Sequence, residues 1–170
     1  MNFLPFMLAA LITVSDPIAT DFTKVPESVL NNGLTTLSVC IATDMVGIRK
    51  LAELAELIKA EPPPNATEQA KNIKDSAEAL LEAMMAEANV GSTIVQALQD
   101  KYHYKEADLL KTVKNIIAEA KVDVEAAVGD IIAFDELDDK LGPKVENCDK
   151  SLVSWSTELK KYIVPLENQK

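Results

Sequence analysis

The chain has 170 residues, 27 of them acidic and 17 basic, for a formal net charge of −10 with no Lys/Arg cluster. Neither nucleic acid nor an anionic membrane surface finds the basic footprint it needs. A hydrophobic content of 48% excludes a disordered polymer, and five glycines with 5% aromatics favour helices over sheets. The prediction is an all-α, single-domain bundle of about five antiparallel helices.

Residues Phe3 to Val14 form an apolar run too short to span a bilayer and suited to the core of a secretory signal peptide. Residues 1–19 are therefore read as a signal peptide cleaved after Ala19 or Ser15, and residues 20–170 as the bundle. The alternative is an apolar N-terminal helix retained in the domain. Secretion places the two cysteines, Cys40 and Cys148, in an oxidising compartment where one inter-helix disulfide persists. It closes a loop of about 100 residues, for which the chain-entropy estimate is about 4–5 kcal/mol. Two free buried thiols are the alternative.

The first helix starts near Ser28 or Asn32 after Pro26. Its apolar face is Leu30, Leu34, Leu37, Ile41, Met45, Ile48, Leu51, Leu54 and Ile58 at three-four spacing, with a bend or short break expected at Gly47. Pro62, Pro63 and Pro64 stop it. Asn65-Ala66-Thr67 fits the N-glycosylation pattern and also suits a helix cap. A second helix from Ala66 to Asn89 carries Ile73, Ala77, Leu80 and Met84. Gly91-Ser92 reads as a stop and a new cap for a short third helix to Tyr102, or else as a kink in one longer helix.

The fourth helix, from Lys105 to about Ala133, has the regular stripe Leu109/Leu110, Val113, Ile116/Ile117, Val124, Val128 and Ile131/Ile132. The acidic Asp135 to Asp139 segment is read as a solvated or calcium-tolerant loop leading to Gly142-Pro143. There the last helix begins, with Val145, Cys148, Leu152, Trp155 and Leu159 on one face and Pro165 at its end. None of the carboxylates is placed in an apolar setting that would tune an acid–base pair. His103 is a lone histidine between two tyrosines, and no nucleophile elbow or phosphate loop occurs. No catalytic residue, metal site or cofactor is predicted, and the function expected is binding.

Glu106-Ala107-Asp108-Leu109-Leu110 opening a helix, Val124 to Ile132 closing it before Phe134-Asp135, and a final Leu159-Lys160-Lys161-Tyr162-Ile163-Val164-Pro165 together carry a family likeness. Over about sixty residues the chain resembles the fungal hydrophobic surface-binding protein A and cell-wall galactomannoprotein family of small secreted helical proteins. The resemblance implies a secreted or wall-associated protein that binds a hydrophobic surface or holds a fatty acid, an apolar small molecule, inside the bundle. It points to Leu110, Val113, Ile117, Val128, Leu152 and Leu159 as candidate pocket positions. The cysteine pair departs from the family pattern, and so does the lack of a Ser/Thr-rich tail for covalent wall attachment. A bundle that binds a protein partner, as an enzyme inhibitor or host-directed effector, is the alternative function.

Overall fold

The computed structural model describes residues 22–163, so the signal segment at 1–19 and Pro165 lie outside the described residues. A 3₁₀ turn at Phe22–Lys24 leads into four α-helices: α1 (Glu27–Ala60), α2 (Ala66–Tyr102), α3 (Glu106–Val128) and α4 (Phe134–Leu159). The all-helical class agrees with the prediction, but the described residues hold four long helices where about five are predicted.

Two predicted boundaries lie elsewhere in the structure. Gly91-Ser92 does not stop α2, because Ile73, Leu80, Ala83, Glu87, Val90, Ile94 and Leu98 keep one buried stripe in phase across the glycine. Packing of that stripe outweighs a glycine penalty of about 1 kcal/mol. At the other boundary α3 ends early, at Val128, where Gly129 adopts φ +63° and its N–H bonds to the Glu125 carbonyl at 2.8 Å. The acidic segment is then the start of α4 and not a loop, with Asp135 and Glu136 in the first turn, where the backbone dipole favours negative charge. Pro143 sits inside α4 on its exposed side. The backbone bond it removes faces water, while Phe134, Leu137, Leu141, Val145, Cys148, Leu152, Trp155 and Leu159 bury a continuous stripe past it.

Helix α1 is the hub. It packs against α2, α3 and α4 in turn, whereas α2 and α3, although consecutive, barely touch. Its contacts with α4 run in reverse order along the chain: Gly33 lies under Trp155, Cys40 beside Cys148, and Gly47 under Leu141. Those with α2 do the same, from Tyr102 Oη donating to the Val25 carbonyl at 2.9 Å to Gly47 meeting Leu80. Helices α2 and α4 are thus antiparallel to α1. The buried side of α1 is not quite the predicted one. Ile41 and Ile48 are half-buried and Met45 is exposed, while Gly33, Leu37, Cys40, Asp44, Gly47, Leu51 and Leu54 form the inner stripe. No bend is needed at Gly47: its missing Cβ lets side chains from α2 and α4 close on the α1 backbone, since a Cβ there would lie 2.8 Å from both Leu80 and Leu141.

Among the described residues no helix is long and apolar enough to cross a membrane.

Candidate functional site

Four chemically reactive side chains meet at the centre of the bundle. Cys40 and Asp44, one turn apart, project from α1; Glu87 comes from α2 and Cys148 from α4. Each occupies an inner position of a three-four stripe otherwise filled by leucine, valine and alanine, so the periodicity that buries those neighbours buries them too. Asp44 and Glu87 have no solvent exposure, and the two cysteines are likewise buried. Carboxylates in an apolar setting are therefore present, which corrects the expectation that none would be.

No N–H or hydroxyl of the described residues donates to any of the four carboxyl oxygens. The polar contact that remains is between the two carboxyl groups, and it requires a proton on one of them. Burial pushes Asp44 up to about 7, against a smaller opposing effect of its hydrogen bond with Glu87. Glu87 is driven to about 12 by burial first, then by the hydrogen bond and negative charge of Asp44. The Cys40 thiol is raised as well, chiefly by its hydrogen bond with Cys148 and by burial, with both carboxyls adding repulsion. At neutral pH the cluster therefore holds at least one carboxyl proton and keeps Cys40 as a thiol.

The two sulfurs are 2.6 Å apart and both cysteines are free, where a disulfide has about 2.05 Å. The predicted inter-helix bond is thus seen as a juxtaposition of thiols across α1 and α4. Thr43 Oγ1 donates to the Val39 carbonyl at 3.0 Å and lies 3.8 Å from Cys148 Sγ. Among the described residues no group of three or more His, Cys, Asp or Glu side chains is arranged to hold a metal ion.

Four of the six candidate pocket residues belong to the hydrophobic core or pack against it, and two lie further out. Val128, Leu152 and Leu159 are core, Val113 and Ile117 are half-buried, and Leu110 is 53% exposed. Helix α3 buries only Leu109, Ala120, Val124 and Val128, because it packs mainly on α1 and touches α4 and α2 far less. Asn65 and Thr67 are exposed at the start of α2, where the Asn65 Oδ1 accepts from Gln69 Nε2 at 2.8 Å and makes no side-chain cap. His103 is exposed, adopting φ 61° as the left-handed C-cap of α2. Its flanking tyrosines tie that end to the start of α1: Tyr102 to the Val25 carbonyl, and Tyr104 to Glu27 and Asn31.

An apolar groove of about 510 Å³ opens at the end of the bundle where α1, the proline turn and the α3–α4 link meet. Leu57, Ile58, Ala60, Pro63, Ile132 and Ala133 line it, with Glu61 and Gln69 at its polar margin. Leu57 is 48% exposed and Ile132 77%. Sequence reasoning missed this groove, since its walls come from segments far apart in the chain, the end of α1, the proline turn and the α3–α4 link, that only the fold brings together. It also missed Asp44 and Glu87, although a check of phase, extending Leu37–Cys40 to Gly47–Leu51 and Ala83 to Val90–Ile94, would have placed both inside.

No family model, curated protein or solved structure matches the chain.

Proposed function

We propose that this chain is a secreted, non-enzymatic binding protein for a hydrophobic ligand of the fatty-acid class or for a hydrophobic surface. The observation that carries the reading is the apolar end groove, whose volume falls within the range of about 300–1,000 Å³ common for small-molecule sites. Two of its three large aliphatic side chains, Leu57 and Ile132, are exposed, so covering them with an apolar partner is favourable. The non-enzymatic part of the reading is supported by the sealing of the tuned carboxyls and thiols inside the bundle, out of reach of a substrate. In an oxidising compartment Cys40 and Cys148 join as a disulfide, and the exposed Asn65 and Thr67 accept a glycan; both belong to the same proposal.

Titration of the purified chain with palmitate, together with adsorption to a hydrophobic bead, tests it. Saturable binding is expected, weakened by about tenfold in Leu57→Ser/Ile132→Ser, on the order of 1 kcal/mol or more of lost apolar contact. Absence of both uptake and adsorption, or binding unchanged in the double variant, would overturn the reading. A protein-binding bundle is the second reading, favoured by Leu81 and Met85, which lie four residues apart on an exposed face of α2 and are 47% and 59% exposed.

A further inference from the structure

A pair of carboxyl groups with no outside donor, closed between two helices, is expensive to keep unless it does something at a particular proton activity. Asp44 and Glu87 meet at the middle of the longest contact in the molecule, the α1–α2 seam, so their charge state bears on the whole bundle. Facing them are the sulfurs of Cys40, from the same side of α1 as Asp44, and of Cys148, from α4, which titrate as thiols and not when joined as the proposed disulfide; among the described residues no basic side chain offsets the carboxyls. Lys50, also buried on α1, is paired with Glu53 at 3.7 Å.

We propose that the Asp44–Glu87 pair is a proton-operated latch: a proton held between the two carboxyls keeps α1 and α2 closed on each other, and the bundle loosens as rising pH withdraws it.

With no donor from the other described residues, the hydrogen bond open to these buried oxygens is one between the two carboxyls, and it needs at least one proton. With one proton the carboxyls form a charge-assisted O–H···O⁻ bond; with none, two like charges share a dry site. The sign follows from linkage. Both carboxyls bind their protons more tightly in the bundle than in the unfolded chain, so their stabilisation is complete in acid and is lost with increasing pH, first through about 7 and then towards about 12. Across any interval in which the folded pair keeps one proton that the unfolded chain has released, the unfolding constant grows about tenfold per pH unit.

The test compares the wild-type chain with Asp44→Asn/Glu87→Gln, in which an amide–amide hydrogen bond keeps the shape and nothing titrates. Unfolding at pH 7 is followed by calorimetry in buffers of different ionisation enthalpy, which counts the protons exchanged. The cysteines add nothing to this count: joined as a disulfide they do not titrate, and as thiols of the unfolded chain, with ordinary values near about 8.5, they stay protonated there. The wild type is expected to release about one proton more than the variant, and its unfolding constant to rise about tenfold more steeply per pH unit between about 7 and 9. Equal proton counts and parallel pH profiles would overturn the latch. If the variant fails to fold, the wild type decides alone: release of at least about one proton at pH 7, with stability falling from about pH 5 to 9, upholds the proposal, and release of none or rising stability ends it.

Discussion

Gly33 shows how much one absent atom decides. Trp155 lays its indole against the α1 backbone there, so close that a Cβ on residue 33 would fall 2.3 Å from Cε2 and Cζ2, and its Nε1–H donates to the Val29 carbonyl at 2.8 Å. The ring is rigid and held at both its face and its N–H, so it has nowhere to move. Gly33→Ala is expected to destabilise the bundle by about 1–3 kcal/mol, the usual cost of overpacking, and to lower Tm by several degrees. Thermal unfolding followed by circular dichroism checks this, with weakened burial of Trp155 visible as a red-shifted emission. An unchanged Tm would mean that the ring is not seated as described. Neither Gly33 nor the buried carboxyls stand out in the sequence, because a glycine or an acid at an inner position looks like an interruption of the apolar pattern and not a part of it.

At the scale of the helix, glycines in similar helical sequence contexts have opposite roles. Gly47 is pressed by Leu80 and Leu141, whereas at Gly91, inside α2, a Cβ would meet nothing within 4 Å beyond its own turn of helix. Gly91→Ala is therefore expected to stabilise by about 0.5–1 kcal/mol through helix propensity alone. Gly47→Ala must displace two leucine methyl ends, which are flexible, so its gain in propensity is cancelled or reversed by about 1 kcal/mol of overpacking. Urea unfolding of the two variants separates these outcomes; equal shifts of the midpoint for both would show that propensity, not packing, governs α1. The helical faces themselves were legible, since Leu30, Leu37, Leu51 and Leu54 and the α4 series from Val145 to Leu159 are buried as their spacing requires. Boundaries were less so. Gly91 and Pro143 are strong local punctuation, but each lies off the buried stripe, where its cost is about 1–3 kcal/mol and continuous packing on both sides exceeds it.

For the whole molecule, the arrangement around α1 sets what the core can do. Cys40 and Cys148 come together because α4 returns antiparallel along α1, and joining them would close most of the chain into one loop. If the proposed disulfide forms, reduction is expected to lower stability by about 4–5 kcal/mol, less any strain relieved. Cys148→Ser should lower Tm by a similar amount and be insensitive to reductant. Thermal unfolding with and without reductant, together with intact mass, measures both; a wild-type Tm that ignores reductant would remove the staple from the account. The same centrality puts the carboxyl pair where its protonation bears on every helix packed on α1.

Sequence alone determined the helical class, the proline stop after α1 and most large core residues, because those follow from local propensity and a period of 3.6 that each segment carries in itself. It did not determine which of four helices would be surrounded. Helix α3, with its regular stripe from Leu109 to Val128, lies on the flank with Leu110 in water, while α1, whose stripe is interrupted by Gly33, Cys40, Asp44 and Gly47, is the centre. Tertiary structure made that choice: a helix enclosed by three neighbours needs small residues for close approach, and its polar groups are dehydrated together. Pairing between segments distant in the chain decides both.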